Sequence, residues 1–144
     1  GGIVLVEAYD TGTSNSPRLI NVSARNRVGT GDEILIAGFN LAGTGGKQLL
    51  IRAIGPRLAA FGVDGFLADP KLELYTSAGV KLEENDNWAA TLAPTFAAVG
   101  AFDLVAGSRD AALLTTLTPG SYTVQVRGAD GGTGEALVEI YEVP

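Results

Sequence analysis

The sequence predicts an all-β fold, an antiparallel β-sandwich of the jelly-roll or immunoglobulin-like kind, with about ten strands and one or two short helical turns. Three observations predict it. Twenty glycines and six prolines lie between short apolar runs, which is typical of many strands joined by tight turns. Several of these runs alternate apolar and polar residues, the period of a half-buried strand. Helical periodicity is limited to 56–63 and 87–100, where Gly62 ends the first stretch and Pro94 interrupts the second.

The individual strands follow from this pattern in chain order. Residues 33–39 and 48–54 are nearly continuous apolar runs rich in Ile and Leu, so we expect central strands with both faces covered. Residues 71–76 and 122–127 alternate, so we expect each to have one buried and one solvated face. The remaining predicted strands are 18–24, 80–84, 111–117 and the two terminal segments 4–10 and 136–142.

One turn supports the sandwich independently. Pro119-Gly120 is followed two residues later by Tyr122, which begins an alternating strand. This arrangement is typical of a tyrosine corner, in which the hydroxyl bonds to the backbone a few residues upstream. We therefore expect the Tyr122 ring to lie in the core.

Composition excludes most enzyme chemistry. The chain of 144 residues is long enough for one domain. It contains no Cys and no His, which removes thiolate and imidazole metal sites, Cys nucleophiles and His-dependent triads. Paired carboxylates are the remaining acid–base candidates, and no pattern selects a pair. We expect no catalytic residues and no enzyme activity.

Charge and hydropathy restrict the partners and the location. The net charge is −6, and the ten Lys and Arg residues are scattered singly, so nucleic acid is not an expected partner. No apolar run approaches the roughly 18 residues that span a bilayer, so we expect no membrane insertion. The sequence contains no Met, which suggests a processed mature chain or a piece of a longer one. A cleaved secretion signal would explain this, and we expect a secreted, extracellular or cell-surface protein.

The densest polar cluster is Glu-Glu-Asn-Asp-Asn at 83–87. Two interpretations of it stand. Carboxylate and amide oxygens suit Ca²⁺, and the candidate ligands are Glu84, Asn85, Asp86 and Asn87; alternatively, Asn and Asp side chains cap and turn a surface loop. No other cofactor is expected. Trp88 follows directly and is either a platform for a sugar ring, which would make glycan a partner, or a residue packed under the loop.

The second half of the chain resembles a known class of module. "DPKLELYTSAGVKLEENDNW" and "DAALLTTLTPGSYTVQVRG" contain an Asp-Pro entry, a Leu-x-Leu-Tyr strand, an Asn-Asp pair and a Leu-x-Pro-Gly-x-Tyr strand, and resemble pre-peptidase C-terminal-type domains of secreted bacterial proteins. Residues 18–142 further resemble a repeat β-sandwich domain of large secreted bacterial surface proteins. These resemblances imply a β-sandwich and an extracellular location, and they imply no catalytic residues.

The two ends of the chain carry nearly the same strand. "VLVEAYD" at 4–10 matches "ALVEIYE" at 136–142, with Leu, Val, Glu and Tyr identical. An isolated apolar strand leaves its backbone groups unpaired, so the first copy needs a partner. Three remain open: an edge of its own sandwich, a preceding repeat, or a neighbouring copy that accepts the strand. The predicted contact strand consists of Ile3, Val4, Leu5, Val6, Glu7, Ala8 and Tyr9.

We therefore expect three segments: a terminal strand at 1–10, which a neighbouring subunit could accept; a polar linker at 11–17; and a β-sandwich domain at 18–144. The expected function is that of a structural subunit or module of a bacterial extracellular or cell-surface assembly, a fibre or repeat array with itself as partner, joined end to end by strand exchange. The alternative is a non-catalytic glycan- or calcium-binding accessory module of a secreted protein.

Overall fold

The structure, a computed structural model, describes residues 4–9 and 21–144, and for 4–9 it describes the backbone alone. Two β-sheets face each other. Sheet A has the strand order β1-β3-β8-β5-β6 and sheet B the order β2-β9-β4-β7. The strands are β1 Val4–Tyr9, β2 Asn21–Val28, β3 Leu35–Leu41, β4 Lys47–Ile54, β5 Pro70–Thr76, β6 Lys81–Asn85, β7 Ala111–Leu117, β8 Gly120–Gly128 and β9 Gly134–Glu142.

The antiparallel β-sandwich is confirmed. Strands β2 to β9 form two antiparallel four-stranded sheets, and β1 adds a parallel strand at the edge of sheet A. The prediction of about ten strands was too high. The short helices are two 3₁₀ turns, Pro56–Phe61 and Ala90–Leu92, and one α-helix, α1, Ala93–Ala98. None of the helices described is long and apolar enough to cross a membrane.

The main core lies between the sheets. Strand β8 contributes Tyr122, Val124 and Val126 to it, and these alternate with half-buried or exposed residues as the sequence predicts. Strand β4 is different, because all six residues from Leu49 to Ile54 are buried. The continuous apolar run predicted a strand covered on both faces, and β4 is one. Leu49, Ile51 and Ala53 belong to the main core, and Leu50 and Ile54 belong to a second hydrophobic cluster.

A layer of loops and short helices covers the outer face of sheet B. It comes from two excursions, residues 55–69 between β4 and β5 and residues 86–110 between β6 and β7. Leu58, Trp88 and Phe96 from these excursions pack on Leu50 and Ile54 of β4 in a second hydrophobic cluster. The outer face of sheet A has no equivalent cluster among the described residues. The fold is therefore three-layered over sheet B and two-layered elsewhere.

The tyrosine corner is present. The Tyr122 hydroxyl donates a 2.8 Å hydrogen bond to the Thr118 carbonyl oxygen, and the ring stacks on Phe39 with centroids 5.6 Å apart. Gly120, two residues before Tyr122, adopts φ 157°. The sequence prediction for this corner is correct in both the hydrogen bond and the packing.

Candidate functional site

The first candidate site is the edge of sheet A at which β1 lies. Strand β1 pairs in parallel with β3, from Val4 opposite Leu35 to Tyr9 opposite Asn40. In this structure the terminal strand therefore pairs with an edge of its own sandwich, the first of the three partners considered above. Ile3 and the predicted linker at 11–17 lie outside the described residues.

The β3 edge differs chemically from the opposite edge of sheet A. Strand β3 carries no charged residue, and its Leu35, Ala37 and Phe39 are buried. At the opposite edge of sheet A, β6 carries exposed Lys81 and two exposed glutamates. Charges on an edge strand oppose further strand pairing. The β3 edge lacks that protection and requires a covering strand.

The two edges of sheet B are also protected. Strand β2 presents exposed Arg25 and Arg27. On β7, the Ala112 amide donates a 3.0 Å hydrogen bond to Asn85 Oδ1, so a side chain occupies part of that edge. Strands β3 and β7 are both uncharged, and of these two edges the one on β3 is paired with a further strand, β1.

The near-identical strands β1 and β9 occupy different places. Strand β9 lies inside sheet B between β2 and β4, antiparallel to both, whereas β1 lies at the edge of sheet A. Val4 matches Ala136 and Ala8 matches Ile140, both of which are buried in β9. A buried Ile-to-Ala change costs about 2–5 kcal/mol, and added methyl groups in a packed core cost about 1–3 kcal/mol. The β9 place therefore fits its own strand better than it fits β1.

A buried ion pair on the outer face of sheet B was not predicted. Arg52 of β4 is fully buried, and its Nε and Nη2 donate to Glu139 Oε2 of β9 at 2.8 and 2.6 Å. Its Nη1 donates to the Phe102 carbonyl oxygen at 2.6 Å. The guanidinium also lies 4.8 Å from the Phe96 ring centre and 4.4 Å from that of Phe102. Arg52 thus fastens the covering layer to sheet B.

Tyr141 completes this cluster. Its hydroxyl donates a 2.8 Å hydrogen bond to Glu139 Oε1. Burial, together with the negative charge of Glu139, raises the pKa of Tyr141 to about 12. The hydroxyl therefore stays protonated and remains a donor to the carboxylate throughout the physiological pH range. The signal in the sequence is an Arg inside an apolar run and a Glu-x-Tyr pair in the closing strand, and only the register of β4 on β9 joins them.

The second candidate site, the predicted calcium loop, is tied to other parts of the protein. Glu84 forms ion pairs with Lys71 at 3.1 Å and Lys81 at 2.5 Å, and these lysines hold the pKa of its carboxyl below the usual value. Asn85 binds the Ala112 amide through Oδ1 and the Asn87 carbonyl oxygen through Nδ2. Asp86 accepts from Asn87 Nδ2 at 3.2 Å. Across the described part of the chain, no three acidic side chains lie close enough together to hold a metal ion.

We expect strong chelation to leave the melting temperature unchanged, because the oxygens of Glu84 and Asn85 already have protein partners. The measurement is a thermal melt with excess calcium and with EDTA. A bound ion at 100-fold excess over Kd would stabilise the fold by about 2.7 kcal/mol. A lower melting temperature in EDTA, abolished by Asp86→Ala, would instead establish the calcium interpretation.

Trp88 is packed under a loop. Its side chain is 8% exposed, and its indole N–H lies 3.3 Å from the Val105 carbonyl oxygen and 3.2 Å from Ser108 Oγ. The ring stands against Phe96, with centroids 5.3 Å apart. A sugar platform needs an exposed aromatic face, so Trp88 does not provide one.

Asp110 is a further buried acidic residue. It is fully buried, and its Oδ1 accepts from the Gly55 amide at 2.8 Å and the Arg57 amide at 3.3 Å. Its Oδ2 accepts from Ser108 Oγ at 2.7 Å. Asp110 thus connects the two excursions that cover sheet B, and its oxygens have structural partners.

Comparison with known proteins places the chain by fold. No protein-family profile matches the sequence, and no curated protein is similar to it. Among solved structures, it is similar to the pre-peptidase C-terminal domain of a collagenase from Bacillus anthracis, with a TM-score of 0.55, 12% identity and coverage of 96% of this chain and 94% of that one. The chain has the fold of that domain. It is also similar to PliG, a periplasmic inhibitor of g-type lysozyme from Aeromonas hydrophila, with a TM-score of 0.52, 10% identity and coverage of 97% and 96%.

At these identities the likeness shows the fold alone. It agrees with the resemblance of the second half of the sequence to pre-peptidase C-terminal-type domains, and it extends the shared architecture to nearly the whole chain.

Proposed function

We propose that this protein is a non-enzymatic structural module of a bacterial extracellular or cell-surface assembly, in which modules are joined end to end through the terminal strand β1. One observation carries the proposal: β1 nearly repeats the closing strand β9, yet it lies at an uncharged sheet edge that requires a covering strand. A strand that binds at an edge through a single ladder can be supplied by the same chain or by another.

Two further observations support the proposal. The buried polar clusters around Arg52 and Asp110 join structural elements and use their donors and acceptors internally, as in a module built for stability. The likeness to a collagenase domain and to a periplasmic inhibitor supports a location outside the cytoplasm.

Deleting residues 1–10 tests the proposal. We expect the intact chain to form ordered multimers in sedimentation velocity and negative-stain microscopy, and the shortened chain to form none. The ladders that join β2 to β9 with one another do not involve the deleted residues, so the circular dichroism spectrum should remain that of a β-sandwich.

The free peptide GGIVLVEAYD provides the control. We expect it to bind the shortened chain and to limit the growth of intact multimers, whereas a scrambled peptide of the same composition should do neither. Equal assembly of the shortened and intact chains would refute joining through β1.

A further inference from the structure

The acceptor of the donated strand can be named. We infer that β1 of one copy binds in parallel along β3 of a second copy, in the register in which it lies along its own β3. This inference rests on the proposed function and adds the partner, the edge and the register. The register places Tyr9 opposite Asn40 and Val4 opposite Leu35.

The chemistry of the edges selects β3. A second copy that has donated its own β1 offers the edges of β2, β3, β6 and β7. Arg25 and Arg27 lie on β2, Lys81 lies on β6, and Asn85 binds the edge amide of Ala112 on β7. Strand β3 has uncharged residues throughout and three buried apolar side chains. Strand β7 is uncharged as well, but Asn85 occupies part of its edge, whereas β3 is the uncharged edge along which β1 pairs in its own chain.

The β9 place is not a competing acceptor. In every copy it is filled by the copy's own β9, which is hydrogen-bonded on both sides. Ala8 of a donated strand would replace the buried Ile140, and Val4 would replace the buried Ala136. In the β9 place, a donated strand would therefore leave a cavity at the position of Ile140 and would be too large at the position of Ala136.

The length of the connection permits exchange between copies as well as pairing within one chain. Residues 29–34 return the chain from the end of β2 to the start of β3, so β2 begins at the end of the sandwich where β3 finishes. Tyr9 is paired at that same end, opposite Asn40. Joining Tyr9 to Asn21 within one domain therefore needs little more than the spacing of two packed sheets, about 10 Å. The eleven residues at 10–20 reach up to about 36 Å when extended, enough to connect to another copy.

The absence of cysteine allows a direct test in the full chain. In the double variant Tyr9→Cys/Asn40→Cys, the two thiols are the only ones present, and they lie opposite each other in the ladder. Neighbouring strands are about 4.8 Å apart, within the Cα separation of 4.4–6.8 Å that disulfides accept. After mild oxidation of preformed multimers, we expect a ladder of dimers, trimers and longer species on a denaturing non-reducing gel. The ladder should collapse to one band on reduction.

The matched control is Tyr9→Cys/Leu82→Cys. Leu82 lies on β6 at the opposite edge of sheet A and is 42% exposed. We expect this variant to give no ladder; a ladder from it in place of the first would assign the acceptor to β6 and overturn the inference.

The remaining outcomes separate the two proposals. Multimers in which the Tyr9/Asn40 disulfide forms only within a chain, or does not form, would overturn the β3 acceptor and leave end-to-end joining intact. A protein that sediments as a monomer and forms only the internal disulfide would overturn both.

Discussion

Replacing Glu139 with Gln should lower the free energy of unfolding by about 3–5 kcal/mol, because it leaves the guanidinium of Arg52 buried without a counter-charge. Arg52 is fully buried, and two of its nitrogens donate to Glu139 Oε2. Gln keeps the shape of the side chain but offers one acceptor oxygen, whereas Glu139 uses one oxygen for Arg52 and the other for the Tyr141 hydroxyl. The loss therefore combines the missing charge with one missing acceptor. Urea unfolding followed by circular dichroism measures it.

Two comparisons sharpen this result. Glu142→Gln on the same strand disturbs the partly exposed pair with Lys47, and should cost about 1 kcal/mol or less. The double variant Arg52→Met/Glu139→Gln removes the orphaned charge and should recover part of the loss. Equal effects of the Glu139 and Glu142 changes would show that the Arg52 pair does not stabilise the cover over sheet B.

Replacing Tyr122 with Ala should also lower the free energy of unfolding by about 3–5 kcal/mol, the usual cost of truncating a buried aromatic residue. The ring lies in the main core against Phe39, and the hydroxyl binds the Thr118 carbonyl oxygen. Chemical denaturation of the purified variant measures the change.

Tyr122→Phe separates packing from hydrogen bonding. It removes the hydroxyl and keeps the ring, so it should cost about 0.5–1.5 kcal/mol. A loss below about 1 kcal/mol for the Ala variant would mean that the ring contributes little to the core, contrary to its assignment as a corner tyrosine.

The parts of the fold that local pattern determines were predictable. The alternation of β8 and the apolar run of β4 gave the correct strand type and burial for both, because the side-chain period of a strand is local. The boundaries shifted by a few residues: the strand predicted at 80–84 is Lys81–Asn85, and the one predicted at 18–24 is described as Asn21–Val28. The ends of a strand depend on which backbone groups form hydrogen bonds, and the period of the sequence does not specify these ends.

The Arg52 cluster and the β1 edge depend on the register between strands that are distant in sequence. A local sequence pattern does not specify that register. Arg52 and Glu139 are 87 residues apart in sequence, and each looked like an ordinary interruption of an apolar strand. The similarity of β1 to β9 predicted that the first strand needs a partner, but not that it lies in the other sheet and in parallel. The cluster at 83–87 drew attention by composition, whereas its partners Lys71 and Ala112 belong to neighbouring strands.

The unequal attachment of the two end strands has a mechanical consequence. Strand β9 is hydrogen-bonded to β2 on one side and β4 on the other, whereas β1 is attached by the single ladder to β3. If modules are joined through β1 as proposed, stretching the row would load both strands, and the strand with a single ladder should separate first. Rupture would then fall between modules, each module would stay folded, and the released strand could pair again with the vacated edge when the tension ends.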